Sequence, residues 1–307
     1  MGYILYFANL GELTTTFQNV KPFYILLLYS TTIPLTLIST LKWMLLLKPQ
    51  GIHETRFIRL WALYHVGMFF SNFLPSEVGG DAVRCYEVGK ESGKHAESLV
   101  AVITERITGL YALIIYGLIG LMLNWNLAKY QNLNYLILLS FLTFIVAPMI
   151  LLDKRIYAYL ESIRFSKVLS TIIVKCGLVR HAFYKYKRSA KAMSQVVLIS
   201  FLYQLYVIWY TYALARCLSL EVYPTMIQLM LIMPAITIIS LIPISINALG
   251  LREGAFVILF SLTGLSTEQS LVLALLTRLG VLAPSLVGGF IYIGSDLKLM
   301  LSKIKEA

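Results

Sequence analysis

The sequence predicts an all-α multi-pass membrane protein, an inverted-topology repeat with two broken or re-entrant helical hairpins, and three observations lead there. The 307 residues are 58% hydrophobic and only 13% charged, with a mean hydropathy of +0.76, too little polar surface for a water-soluble fold of this length. Apolar stretches able to cross about 30 Å of hydrocarbon, which takes roughly 20 residues, recur along the chain. Two further apolar runs, SNFLPSEVGGDAVR at 71–84 and ISLIPISINALGLREG at 239–254, are interrupted in a similar way. In each, a proline is followed nine positions later by an arginine, Pro75 by Arg84 and Pro243 by Arg252. A broken apolar segment carrying an arginine, once in each half, is the pattern of a transporter's midplane site.

The uninterrupted spans lie near 22–47, 96–123, 133–152, 195–215 and 270–295. Their orientation follows from the distribution of Lys and Arg. Between Asp153 and Lys191 lie ten basic residues against only Asp153 and Glu161, so the loop 153–194 is expected in the cytoplasm. Lys42, Lys48, Arg56 and Arg59 place the end of the first span on the same side, and Lys298, Lys303 and Lys305 do so for the C-terminus. With its basic charge gathered beside membrane segments, the chain has no call for nucleic acid as a partner. Clustered Lys and Arg there suit anionic headgroups, at roughly 1 kcal/mol each.

The two interrupted regions, 57–92 and 225–264, fit this topology as hairpins. A simple crossing at 57–92 would strand Arg84, Lys90 and Lys94 outside, whereas a hairpin turning near Pro75 returns them to the cytoplasmic face. One integral membrane domain over 1–307 results. Repeat A covers about 22–123, a connecting helix 133–152 and the basic loop 153–194 follow, and repeat B covers about 195–295. The odd number of intervening crossings turns the second repeat upside down. A shorter match, VITER at 102–106 and LLTR at 275–278, accompanies the Pro and Arg spacing.

Arginine at membrane depth costs at least about 2.5 kcal/mol and is retained where it faces a wet interior or a ligand. Arg84, Arg106, Arg252 and Arg278 are the candidate headgroup-binding residues, because a planar guanidinium fork matches phosphate. Asp81, Glu105 and Glu253 are candidate counter-charges. Adjacent residues on a helix point about 100° apart, so each Glu must pair across helices, with the other half's arginine as one candidate. Asn72 and Asn247 extend the polar path. Pro75, Gly79, Gly80, Pro243 and Gly250 are the expected helix breaks, and glycine there also lets backbones approach closely. A purely architectural set of interior ion pairs is the competing reading.

Enzyme chemistry finds thin support. Cys85, Cys176 and Cys217 show no metal or disulfide spacing, and His53, His65, His95 and His181 are isolated from one another. No P-loop occurs. No catalytic residue, metal or cofactor is expected.

Four segments carry a family likeness: FFSNFLPSEVGGDAVRCYEVGK at 69–90, ITERITGL at 103–110, PISINALGLREGAF at 243–256 and LLTRLGVLAPSLVGGFIY at 275–292. With them the chain resembles the lysylphosphatidylglycerol synthase transmembrane-region family, the flippase-like membrane domain. The resemblance implies translocation of a phosphate-bearing lipid, phospholipid or polyprenyl-phosphate-linked, across the cytoplasmic membrane, without the aminoacyl-transferase domain of the best-known members. Asn247 and Ala248 stand where the family often has a glycine pair, and only Tyr3 to Ala8 precede the polar stretch at Asn9 where the family usually has a full crossing. The alternative function is a membrane glycosyltransferase, or its accessory subunit, acting on polyprenyl-phosphate lipids with Asp81 or Glu77 as base or metal ligand. A non-transporting scaffold is a third. Membrane lipids are the expected partners, with a second copy of the chain or a lipid-modifying enzyme as protein partners.

Overall fold

The computed structural model describes residues 10–18, 20, 22–74, 79–123, 134–135, 137–139, 141–143, 183–218, 222–242 and 244–306. The expected connecting span at 133–152, most of the basic loop 153–194, and Pro75, Glu77 and Pro243 lie largely or wholly outside them.

Two short helices, α1 (Leu10–Gln18) and α2 (Pro22–Ser30), lead into α3 (Thr32–Leu47). Lys48–Gln50 then tightens into a 3-10 turn and Gly51 adopts φ 80°, the left-handed stop that a Cβ would penalise. Helices α4 (Phe57–Ser71) and α5 (Gly79–Ser92) form the first interrupted pair, followed by the long α6 (His95–Leu123). The second set comprises α7 (Ala190–Cys217), α8 (Met226–Ser240), α9 (Leu251–Ser261) and α10 (Thr267–Glu306). Helix α8 starts on a capping box, with Thr225 Oγ1 accepting from Gln228 N at 3.2 Å and Gln228 Oε1 accepting from Thr225 N at 2.8 Å.

Four helical stretches are long and apolar enough to cross a bilayer: Pro22–Gln50, His95–Leu123, Ala190–Cys217 and Thr267–Gly294. They match four of the five expected spans. The helices of the interrupted pairs are shorter. The 15 residues of α4 and of α8 rise roughly 22 Å, short of the hydrocarbon thickness, and the 11 residues of α9 rise less. The chain is an all-helical multi-pass integral membrane protein.

Contacts at the helix ends define where each pair opens. Arg59 at the start of α4 bonds Glu91 at the end of α5 at 2.6 Å, Lys94 Nζ donates to Gly51 O at 2.7 Å, and Lys185 Nζ reaches Glu97 Oε1 at 2.9 Å. The ends of α3 and α5 and the starts of α4, α6 and α7 therefore meet in one basic region. From there α7 runs 28 residues, roughly 42 Å, to Cys217, just before α8 begins. Gly264, between α9 and α10, lies against Val222 of the segment between α7 and α8. The second pair opens there.

The packing is reciprocal between the two halves. Helix α4 packs on α10 as α8 packs on α6, and α3 meets α4 and α6 as α7 meets α8 and α10. Two buried apolar clusters result, one around Trp43, Leu46, Leu60 and Val88, the other around Ile208, Leu229, Phe256 and Leu273. Glycines let the crossings close. A Cβ on Gly80 would stand 1.8 Å from Gly67 O, and one on Gly288 would stand 1.9 Å from His65 O.

Candidate functional site

Asp81 is the third residue of α5, where a carboxylate is favoured by the positive helix end. Its two oxygens hold two arginines: Oδ1 accepts from Arg84 Nε at 3.0 Å and Oδ2 from Arg106 Nε of α6 at 2.6 Å. Arg84 Nη1 also lies 2.8 Å from Glu105 Oε2, close enough for ion pairing but not aligned as a hydrogen bond. The Arg84 guanidinium sits 4.7 Å from the ring centroids of both Trp43 and Tyr64, and only 2% of the residue is exposed. Charge pairing and two aromatic faces together hold that desolvated cation.

The second half repeats the acid and arginine arrangement. Glu253, third residue of α9 and fully buried, accepts from Arg278 Nε of α10 at 2.6 Å through Oε1 and from Gly250 N at 2.7 Å through Oε2. Arg278 Nη1 also donates to Asn247 O at 3.3 Å. Asp81 to Arg106 and Glu253 to Arg278 are both 25 residues apart. Both acids are third in helices that begin at Gly79 and Leu251. This register aligns Arg106 with Arg278, as the VITER and LLTR match did. It displaces the Pro-to-Arg alignment by four positions, so Arg84 corresponds to Phe256 and Arg252 to Gly80. Helix starts and ion pairs fix register in three dimensions, whereas the stretches of sequence between the paired helices, 72–78 and 241–250, differ in length.

The two breaks touch each other. Asn247 Nδ2 donates to Asn72 Oδ1 at 3.0 Å, Asn247 N donates to Leu74 O at 3.1 Å, and Asn72 Nδ2 donates to Ser285 Oγ of α10 at 2.9 Å. Backbone groups freed where α4 and α8 stop are thus answered across the halves. Gly250 has φ 83°, a conformation suited to glycine, while Asn247 at 47° and Ala248 at 51° are the positive-φ non-glycine residues among those described.

Around this seam lie two adjoining chambers. The first, about 250 Å³, is lined by Arg106, Arg252, Arg278, Asn72 and Asn247 together with Thr36, Ser39, Ser71 and Tyr203, and among the described residues no carboxylate is on its wall. The second, about 420 Å³, is mainly apolar, with Lys42, Asp81, Glu105 and Arg106 on one side of it. Ser39, Tyr64, Arg106 and Tyr203 border both. The Arg106 side chain is 42% exposed, and that exposure faces these spaces.

Among known sequence families, the one described as "Lysylphosphatidylglycerol synthase TM region" matches residues 1–289. The chain belongs to this family. Two UPF0104 membrane proteins of Methanothermobacter thermautotrophicus are similar to it. One is 24% identical over 321 residues, covering 95% of this chain and 90% of the relative, and the other is 24% identical over 287 residues, covering 88% and 84%. A UPF0104 membrane protein of Methanocaldococcus jannaschii is 26% identical over 139 residues, covering 44% of this chain and 40% of its own. No solved structure matches.

Within this family member, three of the four arginines singled out from sequence line one chamber, and Arg84 stands behind it, packed on Trp43 and Tyr64. The glutamates pair across helices but within their own half, Glu105 with Arg84 and Glu253 with Arg278. The two breaks are instead joined by the neutral asparagines, which bond without burying a further charge. Lys42 departs most from the sequence reading. It is 7% exposed and donates to Glu105 O at 3.0 Å, an interior residue of α3 rather than a marker of the membrane surface. The sequence held a signal, since Lys42 is followed by the apolar residues Trp43 to Leu47 before Lys48. His65, isolated from the other histidines in sequence, is buried in the interior. Its Nδ1 lies 2.9 Å from Pro284 O and its Nε2 3.3 Å from Thr36 Oγ1, which also accepts from Trp61 Nε1 at 3.0 Å, tying α3, α4 and α10 beside the chamber.

Proposed function

We propose that this chain translocates a phosphate-bearing lipid, phospholipid or polyprenyl-phosphate-linked, across the cytoplasmic membrane. The observation that carries the reading is the first chamber, where Arg106, Arg252 and Arg278 face a space between two broken helix pairs and no carboxylate is on the wall among the described residues. Guanidinium groups in such a space bind phosphate oxygens through paired N–H donors. The reading includes an inverted-topology repeat in a single integral membrane domain. It is supported by the reciprocal helix packing and by the two pairs opening at different ends of α7. The basic end, with the C-terminus, faces the cytoplasm. Arg84 acts as a positioning residue, holding Asp81 and Glu105 so that Arg106 is presented to both chambers. Movement follows from each re-entrant pair yielding in turn, which exposes the arginines first to one side and then to the other.

The glycosyltransferase reading is less well supported. Both oxygens of Asp81 are engaged by arginines, and a carboxylate so held is poorly placed to act as a base. Protein partners remain a second copy of the chain or a lipid-modifying enzyme.

The test is a fluorescent-lipid translocation assay in proteoliposomes made with several anionic lipids, comparing the purified protein with Arg106→Ala. Movement of at least one phosphate-bearing lipid, lost in the variant while the variant remains folded, is the expected result. Absence of movement with every headgroup refutes the proposal. A cysteine placed at Lys187 should resist membrane-impermeant labelling in intact cells, and strong labelling there refutes the orientation.

A further inference from the structure

Lys42 keeps hydrogen-bonding capacity that the described residues do not use. Its ammonium carries three N–H donors, and one of them goes to Glu105 O of α6 at 3.0 Å. The Glu105 carboxylate is turned to Arg84 instead, 2.8 Å from Nη1, and among the described residues no ion pair reaches Lys42. Only 7% of the residue is exposed, so its remaining donors have the second chamber, which it lines, as their outlet. A buried ammonium short of acceptors is costly at membrane depth and is retained where a ligand or a wet cavity supplies them.

Gln204 of α7 stands beside it. Gln204 Nε2 donates to Gly109 O of α6 at 3.2 Å, and a Cβ placed on Gly109 would lie 3.5 Å from Gln204 Nε2 and 3.8 Å from Lys42 Nζ. Gly109 therefore keeps open a spot on the chamber wall that is flanked by two nitrogen donors. Its neighbours fix where this spot falls. Ser39 and Tyr203 border both chambers, whereas Lys42, three residues after Ser39 on α3, and Gln204, next to Tyr203, line the second and not the first. Around them the wall is apolar, with Val102, Ile103 and Leu110, and Leu99 on the same wall is 40% exposed.

We infer that Lys42 is a further lipid-binding residue, which with Gln204 holds the oxygen-bearing linkage, the ester carbonyl of a glycerol backbone, at the point where the lipid becomes hydrocarbon. This rests on the proposed function for the phosphate in the first chamber and chooses between its two lipid classes. In a diacylglycerol phosphate the ester oxygens lie between the phosphate and the chains. A phosphate held by Arg106, Arg252 and Arg278 leaves those oxygens at the border with the second chamber, where Lys42 has donors to offer. In a polyprenyl phosphate the phosphate is bonded directly to a hydrocarbon carbon, and nothing on the lipid answers Lys42.

The experiment measures displacement of a fluorescent phosphatidic acid from the full chain in dodecyl maltoside, a detergent without ester groups. The competitors share one phosphomonoester headgroup and differ in the linkage: phosphatidic acid against a polyprenyl phosphate, and a lysophosphatidic acid against an alkyl phosphate of the same chain length. In the wild type the ester-bearing member of each pair should compete roughly tenfold better, the scale of one hydrogen bond from a charged donor. Lys42→Met should bring each pair to parity, and Lys42→Gln, which keeps an N–H donor, should retain part of the preference. Gly109→Ala fills the spot between Lys42 and Gln204 at ordinary contact distances, so it should erase the preference without lowering the unfolding temperature. That variant and the wild-type ranking decide the matter if Lys42→Met does not fold.

Parity within both pairs in the wild type overturns the inference, as does a full preference kept by folded Lys42→Met or by Gly109→Ala. A lower unfolding temperature for Lys42→Met with the preference intact would make the lysine a strut between α3 and α6 and nothing more. The two proposals fail differently. The expected ranking without any lipid movement sinks translocation alone, whereas movement of both lipid classes with equal binding sinks the role of Lys42 alone.

Discussion

Removing Arg278 should destabilise the protein more than removing the acid it holds. In Arg278→Gln, Glu253 stays fully buried and keeps only the Gly250 N–H as a donor with full geometry, at 2.7 Å. Breaking a buried pair from this side costs about 3–5 kcal/mol. In Glu253→Gln the amide oxygen still accepts from Gly250. The remaining Arg278, with 16% of its side chain exposed on the first chamber, can be hydrated there, so the loss approaches that of a charged hydrogen bond, about 1.5–3 kcal/mol. The double variant places two neutral amides opposite each other and should fall short of the sum of the singles by about 2 kcal/mol. At about 2 °C per kcal/mol for a large domain, Arg278→Gln should lower the unfolding temperature in detergent by roughly 6–10 °C, and Glu253→Gln by roughly 3–6 °C. Fluorescence-detected thermal unfolding of the three variants measures the cycle. An unchanged unfolding temperature for Arg278→Gln together with lost lipid binding would refute the reasoning, because Arg278 would then serve the ligand without supporting Glu253.

Other outcomes follow from single positions. Ala248, at φ 51° and buried, should gain about 1 kcal/mol on replacement by glycine, seen as a higher unfolding temperature, since a Cβ is disfavoured in that conformation. Arg252→Lys preserves charge but loses the planar fork, so lipid translocation should fall severalfold with the unfolding temperature within about 2 °C of wild type. Translocation equal to wild type would show that charge alone suffices. Gly80→Ala puts a Cβ 1.8 Å from Gly67 O, which is backbone and cannot swing aside. It should cost at least about 1–3 kcal/mol and reduce the yield of folded protein, measurable by size-exclusion chromatography.

The solvent of this protein was legible in its sequence because composition decides it. Long runs of Leu, Ile and Val can be stable only in lipid or in a core, and 307 residues with 13% charge cannot cover a core of that size. Four stretches able to cross a bilayer follow from length and apolar composition, and the two interrupted pairs from the conflict between apolar character and Pro, Gly and charge. The arginines were visible individually for the same reason, as costly residues in an apolar context.

Where each arginine sits was decided only by the tertiary structure. Arg84 and Arg252 look equivalent along the chain, each nine residues after a proline. Yet Arg84 is enclosed by Trp43, Tyr64, Asp81 and Glu105, and Arg252 opens on a chamber. No local pattern could separate them, because Trp43 and Tyr64 come from α3 and α4 and their contact with α5 depends on how three helices cross. Lys42 illustrates the same limit, since positive charge near a span end reads as surface until Glu105 O of α6 is found 3.0 Å from its ammonium. The contact between Asn72 and Asn247 joins residues 175 apart. Sequence determines how much each residue costs in lipid, and only the fold decides which partner, wall or water meets that cost.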